Sequence, residues 1–282
     1  MNDPTSAAPV PDKAAGAAAD DPDAATAATA APSSVFAIEL APLSFADPWR
    51  WIAAGWRDFR RAPGIGLFYG GCFALMGWLL LKVFEYSPAW TLALSAGFLL
   101  VGPFLCLGLY DVSRKLERGE KPDFGQSLTA WDTRMGTMAI FGTVLLVLEM
   151  VWARASLVVF ALSFDGMPDF KGSLVKLVDP ENVEFIIAYT GVGSIFAGMI
   201  YAVSVVSMPM ILDRQTDAIS AGLTSIRLCL AQPGVMLLWG VLITLLVVVA
   251  MLPGFLGLLV VGPVLGHASW HAYRAAVVPP QA

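Results

Sequence analysis

Apolar residues run almost unbroken through six stretches of this chain, roughly Gly64–Phe84, Ala89–Tyr110, Gly136–Phe164, Phe185–Leu212, Val235–Leu252 and Gly254–Tyr273. Each approaches or exceeds the ~20 residues that an α-helix needs to cross a bilayer. None of them shows a polar face, which marks helices surrounded by lipid or by one another. The pattern predicts an all-α polytopic membrane protein with six transmembrane helices. The third run is long for one span, so it is expected to tilt or to project from the membrane. The fifth and sixth runs are joined at Leu252-Pro253-Gly254, and one tight turn on the outer side suffices to connect them.

The stretch before the first run has a different period. Trp49, Ile52, Trp56 and Phe59 recur at helical spacing, with Arg50, Arg57 and Arg61 alongside. Asp47-Pro48 suits a helix start, and Pro63-Gly64 breaks the helix and turns the chain into the bilayer. An aromatic face beside arginines predicts an N-terminal amphipathic helix lying in the headgroup layer. Residues 1–34 are Ala, Pro, Asp, Ser and Thr with one lysine, Lys13, and no apolar periodicity. Such a segment has no core to offset its ordering entropy, and a disordered cytoplasmic tail is expected. Residues 35–282 then form the transmembrane domain.

Parts of the chain echo one another. Gly97–Arg118 and Gly257–Ala275 both run apolar through Val-Gly-Pro (Val101–Pro103, Val261–Pro263) to an aromatic and an arginine, Tyr110 with Arg114 and Trp270 with Arg274. Upstream, Arg57 precedes Pro63-Gly64 by six residues, and Arg227 precedes Pro233-Gly234 by six. The middle pair of runs fits more loosely, with Pro209 followed by Asp213-Arg214. The expectation is three repeated helical hairpins of like orientation, related by an axis near the membrane normal, arranged as a pseudo-threefold bundle.

Charge adds orientation. Arg50, Arg57, Arg60, Arg61, Arg114, Lys115, Arg118, Lys121, Arg134, Arg214, Arg227 and Arg274 fall on one side of the six runs, whereas the opposite loops hold Lys82, Lys171, Lys176 and several acids. Basic residues stay on the cytoplasmic side, so both termini are expected there. That face would attract anionic lipid headgroups, which accounts for the arginines without nucleic acid. Composition agrees: of 282 residues 57% are apolar and 14% charged, against about 25% charged in soluble domains. The three cysteines, Cys72, Cys106 and Cys229, have no metal-type or redox-type spacing, and they read as small hydrophobes.

Four segments taken together resemble a known family: GWRDFRRAPGIGLFYGGCFALMGWLLL, AGFLLVGPFLCLGLYDVSRKLERGEKP, VVSMPMILDRQTD and LLVVGPVLGHASWHAYR. They are similar to the bacterial integral membrane proteins grouped as domain of unknown function 2189, over about Leu40 to Val277. The resemblance implies a multi-pass, six-helix protein of the bacterial inner (cytoplasmic) membrane without an established activity.

Four ionisable residues inside the runs are the candidate intramembrane polar site. Glu149 and Arg154 lie in the third. Ionisable groups within a membrane are costly and face a bundle interior or a wet cavity. Five residues apart, they sit about 140° from each other on a helix, so Glu149 needs a partner elsewhere, as an ion or proton site or as an anchor between helices. His267 and His271 lie on one face of the sixth run. Their spacing suits a metal pair or, singly, an axial haem ligand, but no cysteine or carboxylate cluster completes such a site, and Trp270, Tyr273 and Arg274 beside them read as an interfacial belt or packing. No cofactor is expected. Gly191, Ser194, Gly198 and Ala202 make a small-residue face suited to close helix contact. Pro103, Pro209 and Pro263 suit a shared kink or a broken-helix site. No hydrolase triad, phosphate loop or nucleotide fingerprint is present. The sequence points to a non-enzymatic membrane protein acting by interaction or membrane organisation, with a small-solute or ion transporter centred on Glu149 as the alternative.

Overall fold

The computed structural model describes residues 38–86, 88–163, 183–214 and 216–278. The expected tail and the loop carrying Lys171 and Lys176 lie outside the described residues. In chain order the helices are α1 (Asp47–Arg61), α2 (Pro63–Tyr86), α3 (Pro88–Glu117), α4 (Phe124–Leu128), α5 (Met135–Ser163), α6 (Val183–Ser204), α7 (Ser207–Asp213), α8 (Ala218–Ala231), α9 (Pro233–Met251) and α10 (Leu258–Ala276). A turn of 3-10 helix, Asp132–Arg134, leads into α5. The one departure from helix among the described pairings is an isolated antiparallel bridge between Leu40 and Val277.

Four helical stretches are long and apolar enough to cross a membrane: α2, α5, α6 with α7, and α9. The apolar runs predict six. The sixth run is helical, as α10, but it differs in kind from those four. Its second half carries His267, Trp270, His271, Tyr273 and Arg274, and most of its residues from Pro263 onward are buried. Its neighbours are other helices, with α1, α2, α3, α7 and α9 all packing on it. By contrast, only 11% of the most apolar part of α5 is buried within the protein, leaving Ile140, Val147 and Val158 facing outward.

The contact of α1 and α2 with α10 is made by backbone. A Cβ on Gly55 would meet the Val264 carbonyl and lie 2.7 Å from the Ala268 amide nitrogen. A Cβ on Gly70 would collide with the Leu259 carbonyl. Glycine at these two positions lets the helices approach more closely than any side chain permits. Trp51 and Phe59 are buried on α1 beside Gly55, and Trp51 meets the buried Trp239 of α9 edge-on at 5.4 Å. The amphipathic expectation for α1 therefore holds with its faces redrawn: Trp49 and Trp56 are exposed, while Trp51, Gly55, Asp58 and Phe59 form the inner face. Asp47 is not the N-cap. Its carboxylate accepts from the Ser44 amide at 2.6 Å and from Arg50 at 2.8 Å.

The two proline breaks expected to correspond do adopt one geometry. Ala62, ahead of Pro63, has φ −131° and ψ 57°. Gln232, ahead of Pro233, has φ −135° and ψ 57°. Residues before proline avoid the helical region, and in both places the amide still bonds back one turn, to Asp58 and to Leu228. The intrahelical prolines differ in setting. Pro103 and Pro263 lie inside continuous helices, and Pro209 alone sits beside a break, in α7 just after α6 ends. There the Ser207 hydroxyl bonds the carbonyls of Val203 and, at 3.0 Å, Ala221, which fills backbone hydrogen bonding freed at the break. The small-residue face of α6 also differs from expectation: Gly191, Ser194 and Gly198 are exposed, and a Cβ on Gly191 or Gly198 would touch nothing.

The close approach at α10 gives a paired prediction. Gly70→Ala should lower thermal stability in detergent or nanodiscs, because the added methyl must push α2 from the α10 backbone. The adjacent Gly71→Ala should be neutral or slightly stabilising, since no atom of a neighbouring element lies within 4 Å of where its methyl would stand and alanine favours helix. Equal effects of the two substitutions would contradict the backbone contact.

Candidate functional site

The two histidines of α10 face its neighbours, and each finds a partner on a different helix. His267 is fully buried, and its Nδ1 lies 2.8 Å from Oγ of the equally buried Ser113 on α3. One turn on, His271 Nε2 lies 2.8 Å from the carboxylate of Asp58 on α1, which is 5% exposed. Of the two expectations, interfacial belt or packing, packing is the one seen at His267, which is sealed inside the protein, and both histidines bind α10 to its neighbours. The i,i+4 spacing does align them on one face, but they engage separate partners. Among the described residues no three His, Cys, Asp or Glu side chains are grouped as metal ligands.

The same helix ends in an ion-pair network. The indole N–H of Trp270 donates to Glu117 at 3.0 Å, and Arg274 donates to Glu117 at 3.1 Å and lies 3.6 Å from Asp213. Tyr273 donates its hydroxyl to Asp213 at 2.8 Å and accepts from Arg214 at 2.9 Å. Arg214 then reaches the carbonyls of Val277, at 3.2 Å, and Val278, at 2.7 Å. On α3, Asp111 pairs with Arg114 and, at 3.0 Å, with Lys115. Arg114, Glu117, Arg118, Asp213, Trp270 and Arg274 enclose a polar cavity of about 270 Å³. Asp213 and Arg214 do not form the local pair that their adjacency suggests; both meet the Tyr273 hydroxyl of α10 instead. Asp111 with Arg114, and Lys82 with Glu85 at 2.7 Å, do pair locally as the spacing predicts.

Glu149 and Arg154 stand apart from this network. Glu149 is half-buried and Arg154 exposed on α5, and they do not bridge. Glu149 has no ion pair among the described residues, and Tyr189 of α6, packed on Trp152 at 5.2 Å, is within electrostatic reach of it. The structure therefore divides the four candidate residues: His267 and His271 join one cluster, and Glu149 and Arg154 remain separate.

Two partners in the cluster, Asp58 and Ser113, were not among the residues that the sequence singles out. A signal existed for the first, because an aspartate four residues after Ala54 and three after Gly55 lies on the small-residue side of α1. Ser113 lies two residues after Asp111 in a charged helix end, where a hydroxyl is unremarkable. With His267 beside Ser113 and Asp58 nearby, the residue types of a nucleophile–base arrangement are present. Both Ser113 and His267 have zero exposure, and their contact is a hydrogen bond between α3 and α10.

Burial raises the Asp58 carboxyl, but the hydrogen bond and charge of His271, helped by Ser113 and His267, outweigh it and hold the group below its ordinary 3.8. A carboxyl with a depressed folded value stabilises the fold above the unfolded value, and the contribution disappears as pH falls through the folded one. Protection of the α1 amides, taken relative to intrinsic exchange at each pH, should therefore fall in acid, below about pH 4. Asp58→Ala should cost about 1–3 kcal/mol, the range for stranding a buried polar partner, and should abolish that acid dependence. Thermal unfolding and hydrogen exchange measure both.

No curated protein and no solved structure matches the chain. Residues 91–213, from within α3 to the end of α7, match the family model described as Predicted integral membrane protein (DUF2189), so over this stretch the chain is similar to an integral membrane family, as its sequence segments suggest.

Proposed function

We propose that this chain is a non-enzymatic, multi-pass protein of the bacterial inner membrane that engages anionic lipid through its arginine-rich face. The observation that carries the reading is on α1. Arg57, Arg60 and Arg61 are exposed beside exposed Trp49 and Trp56, and none of the three arginines has a carboxylate partner among the described residues. Tryptophan settles at the headgroup level, and a basic residue near an anionic surface contributes about 1 kcal/mol. The inner face of α1, locked to α10 by Gly55 and Asp58, leaves the outer face free for this contact. The non-enzymatic part rests on the burial of Ser113 and His267.

In this reading the chain crosses the membrane six times, α3 and α10 serving as the inner pair of spans, and both termini are cytoplasmic. The common φ and ψ at Ala62 and Gln232, and the helix N-caps of Asp123 and Asp217, support three hairpins each introduced by a helix on the basic side.

Spin-labelled phosphatidylglycerol and phosphatidylcholine, compared in vesicles holding the full chain, test the proposal. The wild type should prefer the anionic lipid, and Arg57→Gln/Arg60→Gln/Arg61→Gln should lose most of that preference. An unchanged preference would remove α1 as the contact.

A transport reading rests on a different observation, the half-buried Glu149 without an ion pair in the apolar α5. Glu149→Cys, in a protein lacking Cys72, Cys106 and Cys229, should react with a membrane-impermeant thiol reagent from at least one side if a water path serves this residue. Absence of reaction in folded protein would leave Glu149 as an anchor near Tyr189.

A further inference from the structure

A cleft of about 410 Å³ opens on the side of the helix bundle between α2, α3, α4 and α5. Its walls are Phe104 and Leu105 of α3, Leu128 and Trp131 around α4, and Met135 and Ala139 of α5. Its volume lies in the range of pockets that enclose small molecules, roughly 300–1,000 Å³. It is separate from the charged cavity at the end of α10, with which it shares no lining residue.

We propose that this cleft is a binding site for one acyl chain of a phospholipid from the leaflet on the arginine-rich side. Three features select that occupant. First, the cleft is polar at one end only. Tyr69 Oη and Ser127 Oγ lie 3.2 Å apart in a buried pair, next to the loop that holds α4, and the walls toward Phe104 and Leu105 are apolar. A phospholipid of that leaflet has the same polarity in the same direction, with its ester and headgroup at the interface and its chain pointing to mid-bilayer.

Second, the rim is built for contact with lipid rather than water. Leu128, Trp131 and Met135 are 40–50% exposed, and the Trp131 indole N–H is turned onto the Leu128 carbonyl at 2.9 Å, which leaves the ring edge apolar. Arg134 lies in the turn between Trp131 and α5 and has no carboxylate partner among the described residues. Two of the four walls, α2 and α5, are themselves helices long and apolar enough to cross the membrane, so acyl chains are the medium on which the cleft opens.

Third, the cleft is held open. The Tyr69 side chain is 2% exposed and crosses Gly108 of α3 so closely that a Cβ there would collide with its hydroxyl and lie 2.8 Å from the Ser127 carbonyl. Phe104 is fixed from the other side, its ring 3.0 Å from where a Cβ of Gly142 would be. A cavity lined by atoms that cannot collapse forfeits dispersion contacts along its whole wall, and an acyl chain restores them.

The site rests on α2 and α5 lying in a bilayer, and not on the charge-dependent contact of α1, so the probe is a zwitterionic lipid. Full-length protein in phosphatidylcholine vesicles is photolabelled with phosphatidylcholine bearing a diazirine midway along one acyl chain, and labelled positions are mapped by peptide mass spectrometry. Labelling should concentrate at Phe104, Leu105 and Ala139, well above outward-facing Val144 and Val147. Ala139→Trp, filling the cleft from α5, should reduce capture at Phe104 and Leu105 severalfold while leaving Val144 and Val147 unchanged. Leu105→Trp, filling it from α3, should do the same at Ala139. Ile140→Trp, on the outer surface, should change nothing in the cleft. Equal labelling in all three variants, or cleft labelling no greater than at Val144, would overturn the proposal. So would cleft labelling that emerges only after deletion of residues 1–34, because the cleft would then belong to a segment of the chain itself.

Discussion

The packing of this protein depends on how closely two helices approach α10. At Gly55 and Gly70 the spacing is set by backbone atoms of α10, the carbonyls of Val264 and Leu259. In lipid, helices gain little by hiding apolar surface from one another, so close fit and hydrogen bonds must hold them. The glycines provide the fit. The hydrogen bonds follow from it: once α1 and α3 lie against α10, Asp58 and Ser113 reach His271 and His267. These contacts offset the burial of Asp58, Ser113 and His271, each with a partner at about 2.8 Å, and of Nδ1 of His267, whose Nε2 is buried without a hydrogen-bond partner among the described residues.

The ion pairs beyond His271 extend this arrangement toward the basic face. Glu117 takes both Trp270 and Arg274, and Asp213 takes Tyr273 and Arg274, so α3, α7 and α10 end in one connected group. Its members are partly exposed, and individual pairs of that kind contribute little. Their number and shared partners fix how the three helix ends sit together. The outer surfaces of α5, α6 and α9 carry no such network among the described residues, in keeping with lipid as their neighbour.

Much of this was legible in the chain. Long apolar runs marked the helices, and prolines at Pro63 and Pro233 marked breaks that prove to have matching φ and ψ. Arg57 and Arg227, six residues before these prolines, fell on the helices that precede them, α1 and α8. Hydrophobicity alone did not show how α10 packs: it reads as a span along its length, and its second half is a hub of polar contacts within the protein. Periodicity placed Trp49, Ile52, Trp56 and Phe59 on one face of α1; the structure divides that set, leaving Trp49 and Trp56 exposed and burying Phe59 with Trp51 and Asp58. Small residues were read correctly as contact points in kind and wrongly in place. Gly55 and Gly70 make the contacts, while Gly191 and Gly198 face outward. Spacing within one helix does not say which side meets a neighbour, and Ser113 meets His267 across more than 150 residues of sequence.

The bridge between Leu40 and Val277 brings together segments made at opposite ends of the membrane domain. Arg214 holds the later segment through the Val277 and Val278 carbonyls, and the Gln232 side chain holds the earlier one, accepting from the Leu43 amide at 2.6 Å and donating to the Ala41 carbonyl at 2.8 Å. During synthesis α1 and α2 emerge long before α10 exists. Their inner faces, with Gly55, Asp58 and Gly70 uncovered, must wait through the insertion of every intervening helix. The amphipathic α1 can wait at the headgroup layer, where its tryptophans and arginines are satisfied, and fold inward only when the last helix arrives. Loop closure over so long a stretch is the slowest kind of contact to make. Assembly of this domain therefore closes on its first helix, and a ribosome that stalls before α10 leaves α3, α5, α7, α8 and α9 able to pack on one another but without the helix on which α1 and α2 close.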